Sequence, residues 1–109
     1  MLEKLFYGEH FREFYHRLDK KIKLKVDRTI NLLETVEHVP EKYFKHISGT
    51  EGLYEIRVEF ESNIYMIFSF FDKGKLVIVI NGFHKKPNRT SKKEMDKALK
   101  IKKQYFNEK

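Results

Sequence analysis

The chain has 109 residues and a mass of 13.3 kDa, enough for one hydrophobic core and too little for two. It has no cysteine, which excludes a disulfide scaffold, a thiolate nucleophile and a cysteine-based zinc site. The formal charge is +7, and residues 84–109 carry all of it with ten Lys/Arg against three Asp/Glu, while thirteen of each cancel in residues 1–83.

From the N-terminus, Leu2 to Gly8 predicts a short strand ended by glycine. Phe11, Phe14, Tyr15 and Leu18 recur at spacings of three and four, which predicts a short helix. Asp19 is placed to cap a second helix, whose apolar stripe is Ile22, Val26, Ile30, Leu33 and Val36. Pro40 predicts its end near Val39, giving a helix over about 19–38 and then a helical turn from Glu41 to His46. Ser48 to Gly52 is a loop with two glycines.

The period changes near Leu53. Ile56, Val58 and Phe60 alternate with Glu55, Arg57 and Glu59, which predicts a half-buried strand. Glu61 to Asn63 makes a turn, and Ile64 to Phe71 is apolar almost throughout, as in a strand covered on both faces. Asp72 to Lys75 is a hairpin turn in which Gly74 can take positive φ. Leu76 to Ile80 is a buried strand, and Asn81-Gly82 is where the chain is expected to leave the sheet. Lys85 to Thr90 reads as a basic loop. Ser91 and Glu94 form a capping box for a last helix over 91–106, with lysines at 93, 97, 100 and 103 on one face. Strands joined by tight hairpins run antiparallel, and helices gathered before the sheet make the fold class α+β in a single domain over 1–109. No apolar run approaches the roughly 20 residues that cross a bilayer. The segment MLEKLFYGEH has no signal-peptide core, so the expected compartment is the cytoplasm, with no membrane partner.

The basic end points to a polyanion or an acidic partner. No phosphate-binding GxxxxGK[ST] loop or GxGxxG is present. The histidines His10, His16, His38, His46 and His84 form no HxH or HxxxH pair, so neither a metal nor a cofactor is expected. One set of residues suits a phosphodiester. Lys45 and His46 precede the sheet, Arg57 sits on the polar face of the first hairpin strand, Tyr65 is on its neighbour, and His84 and Lys85 follow the last strand. Metal-free RNA cleavage needs a base for the 2′-OH, cations for the phosphorane and an acid for the 5′-oxygen. Arg57, Lys45 and Lys85 are the candidates for the phosphate; His46, His84 or Tyr65 are the candidates for moving protons. A structural reading competes at each position, with Arg57 paired to Glu55 or Glu59 and Tyr65 a strand aromatic.

The run from Lys45 to Phe106 resembles the RelE/ParE toxin superfamily of bacterial toxin–antitoxin systems, and within it the HigB-like, phage-derived Gp49-like branch. The carrying motifs are KH-x-S-G-T-x-G-LYE-x-R (Lys45 to Arg57), N-x-Y (Asn63 to Tyr65), FFD-x-G-K (Phe70 to Lys75), NGF-x-KK (Asn81 to Lys86) and E-x-x-x-A (Glu94 to Ala98). The resemblance implies a small sheet packed against helices, as in microbial ribonucleases. It implies mRNA cleavage, usually on the translating ribosome, an antitoxin partner often bearing a helix-turn-helix domain, and DNA contact only through that partner. Lys86, Arg89, Lys92 and Lys93 are then the candidate RNA-binding cations. Met66 stands where these toxins commonly have arginine, and Pro87 to Ser91 replaces a K-T-P-like segment. Two alternatives remain: a ParE-like toxin acting on a protein such as DNA gyrase, and an attenuated homologue that only binds antitoxin.

Overall fold

The structure, a computed structural model, describes residues 4–74, 76–85 and 91–108. Its elements in chain order are β1 (Lys4–Tyr7), α1 (Glu9–His16), α2 (Lys20–Thr35), β2 (Phe44–His46), β3 (Tyr54–Phe60), β4 (Asn63–Phe71), β5 (Leu76–Lys85) and α3 (Lys92–Asn107). Leu2 and Glu3, expected in the first strand, and Lys75 of the hairpin turn lie outside the described residues, as do Lys86 to Thr90. One five-stranded sheet has the order β1-β5-β4-β3-β2. The hairpin neighbours pair antiparallel and β1 pairs parallel with β5, so the α+β expectation holds.

The sheet divides the core into two layers. On one face α1 and α2 bury Phe11, Val26, Ile30 and Leu33 against Leu5, Ile56, Val58, Ile67, Val77 and Val79. On the other, α3 packs Ala98 against Leu53, Phe68, Phe70, Ile78 and Ile80. Each such side chain contributes roughly 1.5–3 kcal/mol by leaving water. The cap of α2 is as the sequence implies: the Asp19 carboxylate accepts from the Lys21 backbone N–H at 2.9 Å. The end of α2 is not. The helix stops at Thr35, and Val36 is already extended (φ −87°, ψ 131°). Leu33 is the last buried residue of the stripe, so nothing holds a further turn to the sheet. Pro40 restrains only the residue before it.

Two further corrections concern strands. The expected helical turn over Glu41 to His46 is instead a turn followed by β2, which pairs Phe44 with Ile56, Lys45 with Glu55 and His46 with Tyr54. Phe44 decides this, because its ring stacks on Tyr54 at 5.1 Å and meets Phe71 edge-on at 6.0 Å. A three-residue strand is too short to display an alternation. The second correction is at Asn81-Gly82, where β5 does not leave the sheet but continues to Lys85. The register passes from Ser69↔Val79 to Phe68↔Asn81, so Ile80 has no partner of its own and forms a bulge. Ile80 and Asn81 consequently both face α3. Gly82 faces α1, where a Cβ would lie 2.6–2.9 Å from three ring carbons of Phe14. Glycine serves here for close helix approach, not for a turn.

Gly82→Ala should therefore push Phe14 and α1 off the sheet and cost roughly 1–3 kcal/mol. A denaturant midpoint equal to that of the unsubstituted protein would show that α1 does not depend on this contact.

Candidate nucleic-acid interface

Alternation along β3 sets the site. Ile56 and Val58 enter the α1/α2 core, so Glu55, Arg57 and Glu59 face the other way. The register extends each of these rows across the sheet. Lys45 lies opposite Glu55; Met66 and then Phe83 continue the row of Arg57; Ile64 and then Lys85 continue the row of Glu59. Lys45, Arg57 and Lys85 thus share the α3-side face, with Arg57 and Lys85 two strand spacings apart across the sheet and two residues apart along it, about 12 Å in all. Lys45 is exposed, and Arg57 and Lys85 are half-buried. Met66, between Arg57 and Phe83, is buried at 1% exposure and supplies no cation to this face.

The structure does not bring His46, Tyr65 and His84 to those cations. His46 is one residue beyond Lys45 and lies opposite Tyr54, with its ring edge-on to that tyrosine at 5.3 Å and Nε2 3.1 Å from the Thr50 carbonyl oxygen. Tyr65 lies opposite Val58 and next to His84, on the α1/α2 face. The Tyr65 and His84 rings stack at 4.8 Å, and His84 Nε2 is 3.0 Å from Asn63 Oδ1. The physical reason is the period of two. His46 and His84 are immediate chain neighbours of Lys45 and Lys85, and neighbours in a strand point to opposite faces.

The groups on the Arg57 face that can accept a proton are carboxylates. The Arg57 Nε–H donates to Glu59 Oε1 at 2.9 Å, and with side chains 33% and 59% exposed this pair is weakly held. Glu55, opposite Lys45 and two residues from Arg57, has no hydrogen bond or ion pair among the described residues. Sequence reasoning used Glu55 only as a possible partner of Arg57. Its place between two cations was legible in the alternation, once β2 was recognised.

Among the cations named from the sequence, Lys92 and Lys93 lie exposed in the first turn of α3, with Lys92 Nζ 3.7 Å from Asp96. Lys86 and Arg89 lie outside the described residues. The expected capping box forms by half. Ser91 Oγ accepts from the Glu94 N–H at 3.3 Å, while the Glu94 carboxylate is turned to the sheet and accepts from Asn81 Nδ2 at 3.3 Å. Asn81 is 2% exposed and its Oδ1 has no partner among the described residues. A carboxylate cannot donate at neutral pH, so Glu94 fixes which way the amide is turned.

The tyrosines with shifted titration belong to the scaffold. The Tyr105 hydroxyl donates to Asp72 at 2.5 Å and the Tyr15 hydroxyl to Asp27 at 2.8 Å. Each hydrogen bond, with burial and the carboxylate's charge adding to it, raises the phenol above its ordinary value. Burial first, then Glu34 and Asp27, raises Tyr7. Among the described residues no group of three or more His, Asp or Glu could hold a metal ion, and no helix is long and apolar enough to cross a membrane.

The family model described as phage-derived protein Gp49-like matches residues 13–103. The chain belongs to the Gp49-like family. No curated protein matches this sequence. This Gp49-like chain has the fold of RelE toxins. A mutant of the E. coli toxin RelE in its free state is 17% identical, with a TM-score of 0.64 over 93% of this chain and 98% of that one. A chain of the RelB–RelE antitoxin–toxin complex from Methanococcus jannaschii is 21% identical, with a TM-score of 0.57 over 72% and 88%. The archaeal RelE–RelB complex from Pyrococcus horikoshii gives 16%, 0.54, 83% and 100%. The resemblance read from Lys45 to Phe106 is thereby borne out for the Gp49-like family and for the RelE fold.

Asn81→Asp would set a second carboxylate against Glu94 in a site 2% exposed. The loss should be on the order of 3 kcal/mol at pH 7. Repulsion and burial hold the folded pair's titration above that of the free carboxylates, so the loss should shrink as pH falls toward about 4 and grow as it rises. Thermal unfolding of both proteins from pH 4 to 8 reads this directly. Equal midpoints throughout would mean that Asn81 and Glu94 do not meet.

Proposed function

We propose that this protein is the toxin of a type II toxin–antitoxin pair and a metal-independent endoribonuclease that cuts mRNA on the ribosome, with the Arg57 face as its reacting surface. The observation that carries the reading is the gathering of Lys45, Arg57, Lys85 and Glu55 on one face of the sheet. A polyanion is attracted by such a face, and the excess charge of residues 84–109 adds to the attraction. The fold shared with RelE, and the antitoxin named in two of the matching structures, support the toxin reading and an antitoxin partner; the HigB-like motifs of the sequence suggest that this antitoxin bears a helix-turn-helix domain. DNA would be met only through that antitoxin, and acting on translated mRNA places the protein in the cytoplasm.

In this reading Glu55 accepts the proton of the 2′-OH as that oxygen attacks the adjacent phosphorus. Arg57, a planar fork with donors to spare beyond its Nε–H, holds the equatorial oxygens of the phosphorane together with Lys45. A protonated lysine, Lys85 or Lys45, gives its proton to the departing 5′-oxygen. The products are a 2′,3′-cyclic phosphate and a 5′-hydroxyl. Tyr65, His46 and His84 support the sheet from its other face. One observation favours the second reading, a toxin of this fold with a protein target or an attenuated one: buried Met66 where relatives commonly carry arginine.

Arg57→Ala should lower cleavage on the order of 100-fold, as loss of one preorganised donor does, and change stability by only about 0.5 kcal/mol. Glu55→Gln should lose about as much. Lys85→Ala should lose less, because a point charge is more easily replaced than a fork. His84→Ala should leave the turnover of the folded protein within a few-fold. The assay is cleavage of mRNA on purified ribosomes and growth arrest on induction, with circular dichroism as the folding control. A folded Arg57→Ala protein of full activity would overturn the proposal. Growth arrest without cut mRNA would favour the protein-target reading.

A further inference from the structure

The ladder on the outer edge of β3 ends early. β2 stops at Phe44, the Arg57 N–H makes one more bond to the Tyr43 carbonyl at 2.9 Å, and no strand covers Val58 to Phe60 among the described residues. Where the edge opens there is a recess of about 130 Å³ lined by Lys25 and Thr29 of α2, Lys42 and Tyr43 of the turn before β2, and Arg57 and Glu59 of β3. Three separate segments bring one cation each. Among the described residues Lys25 and Lys42 have no carboxylate partner, and Arg57 spends only its Nε–H, on Glu59. Lys42 Nζ lies 5.0 Å from the centroid of the Tyr43 ring, which limits where that ammonium can go. With Glu59 counted, the recess keeps two positive charges in a volume that suits a single tetrahedral anion.

We infer that this recess is a phosphate subsite for single-stranded RNA, holding a backbone phosphate next to the one that reacts. The inference rests on the proposed function for its substrate and adds Lys25 and Lys42 as strand-binding residues. Arg57 belongs to both places. Arg57 is among the residues that line the recess and also starts the row that leads to Met66 and Phe83. A strand crossing the Lys45–Arg57 face can therefore pass round the open edge of β3 and set its next phosphate between Lys25 and Lys42. A contact to the phosphate alone fixes register and not sequence. Lysine suits this task because it meets phosphate as a point charge from several directions.

The test uses the full chain and an RNA oligonucleotide made uncleavable by 2′-deoxy substitution. Its affinity is followed by fluorescence anisotropy from 50 to about 300 mM salt. Lys42→Ala and Lys25→Gln should each weaken binding several-fold. Each should also lower the slope of log affinity against log salt by about 0.7, the value for one phosphate contact on a single strand. Inorganic phosphate added to the unsubstituted protein should move the backbone amide signals of Thr29, Lys42 and Tyr43. Unchanged affinity and slope in both variants, or amides that do not move with phosphate, overturn the subsite. An acidic peptide that moves those amides when phosphate and RNA do not would assign the recess to a protein partner, which also overturns it. The two readings fail separately. If the oligonucleotide binds with the expected slopes but unmodified mRNA is never cut, the subsite stands and the catalytic proposal falls. If mRNA is cut and the slopes do not change, the reverse holds.

Discussion

The molecule depends on one constraint: β4 is buried on both faces. Every side chain from Tyr65 to Phe70 is covered, three toward α1 and α2 and the others toward α3 and the sheet row that holds Arg57. A strand with no solvated face cannot carry charge. The ionisable residues that reach the α3-side face therefore come from its neighbours and from the margins of the layer that α3 covers. Lys45, Glu55 and Arg57 come from the β2–β3 side, and Lys85 comes from the far end of β5. Moving any of these strands by one residue would exchange their faces and bury the cations. Packing thus fixes the composition of the candidate site before any chemistry selects it.

The bulge at Ile80 is the second determinant. Without the extra residue, strict alternation from Val79 would send Asn81, Phe83 and Lys85 toward α1 and would turn His84 toward Arg57. With it, Asn81 meets Glu94 of α3, Phe83 joins the α3 layer, and His84 goes to Tyr65. Gly82 completes the arrangement by letting Phe14 approach the strand where a methyl group would collide. A two-residue segment that resembles a turn in isolation thereby sets the phase of the last third of the sheet.

This explains what could be read from the amino acids. The apolar stripe of α2, the alternation of β3, the unbroken apolar run of β4 and the positive φ of Gly74 were all legible, because each follows from local periodicity or turn geometry. Arg57 was legible as an outward residue for the same reason. What failed depended on partners distant in sequence. β2 is held by Phe44 against Tyr54 and Phe71, the continuation of β5 by pairing with β4, and the Glu94 carboxylate by Asn81. The two histidines were grouped with lysines because they adjoin them in the chain. In a strand, adjacency means opposite faces.

The central claim is that RNA meets the Arg57 face and not the Tyr65–His84 face. The most direct measurement follows side-chain signals by NMR, the Arg57 Nε–H and the ring protons of His84 and His46, as an uncleavable RNA is added to the full chain. The account predicts that the Arg57 signal moves as its bond to Glu59 is exchanged for phosphate, while the His84 and His46 ring signals hold their positions. Movement of the His84 ring signals with Arg57 unchanged would contradict it.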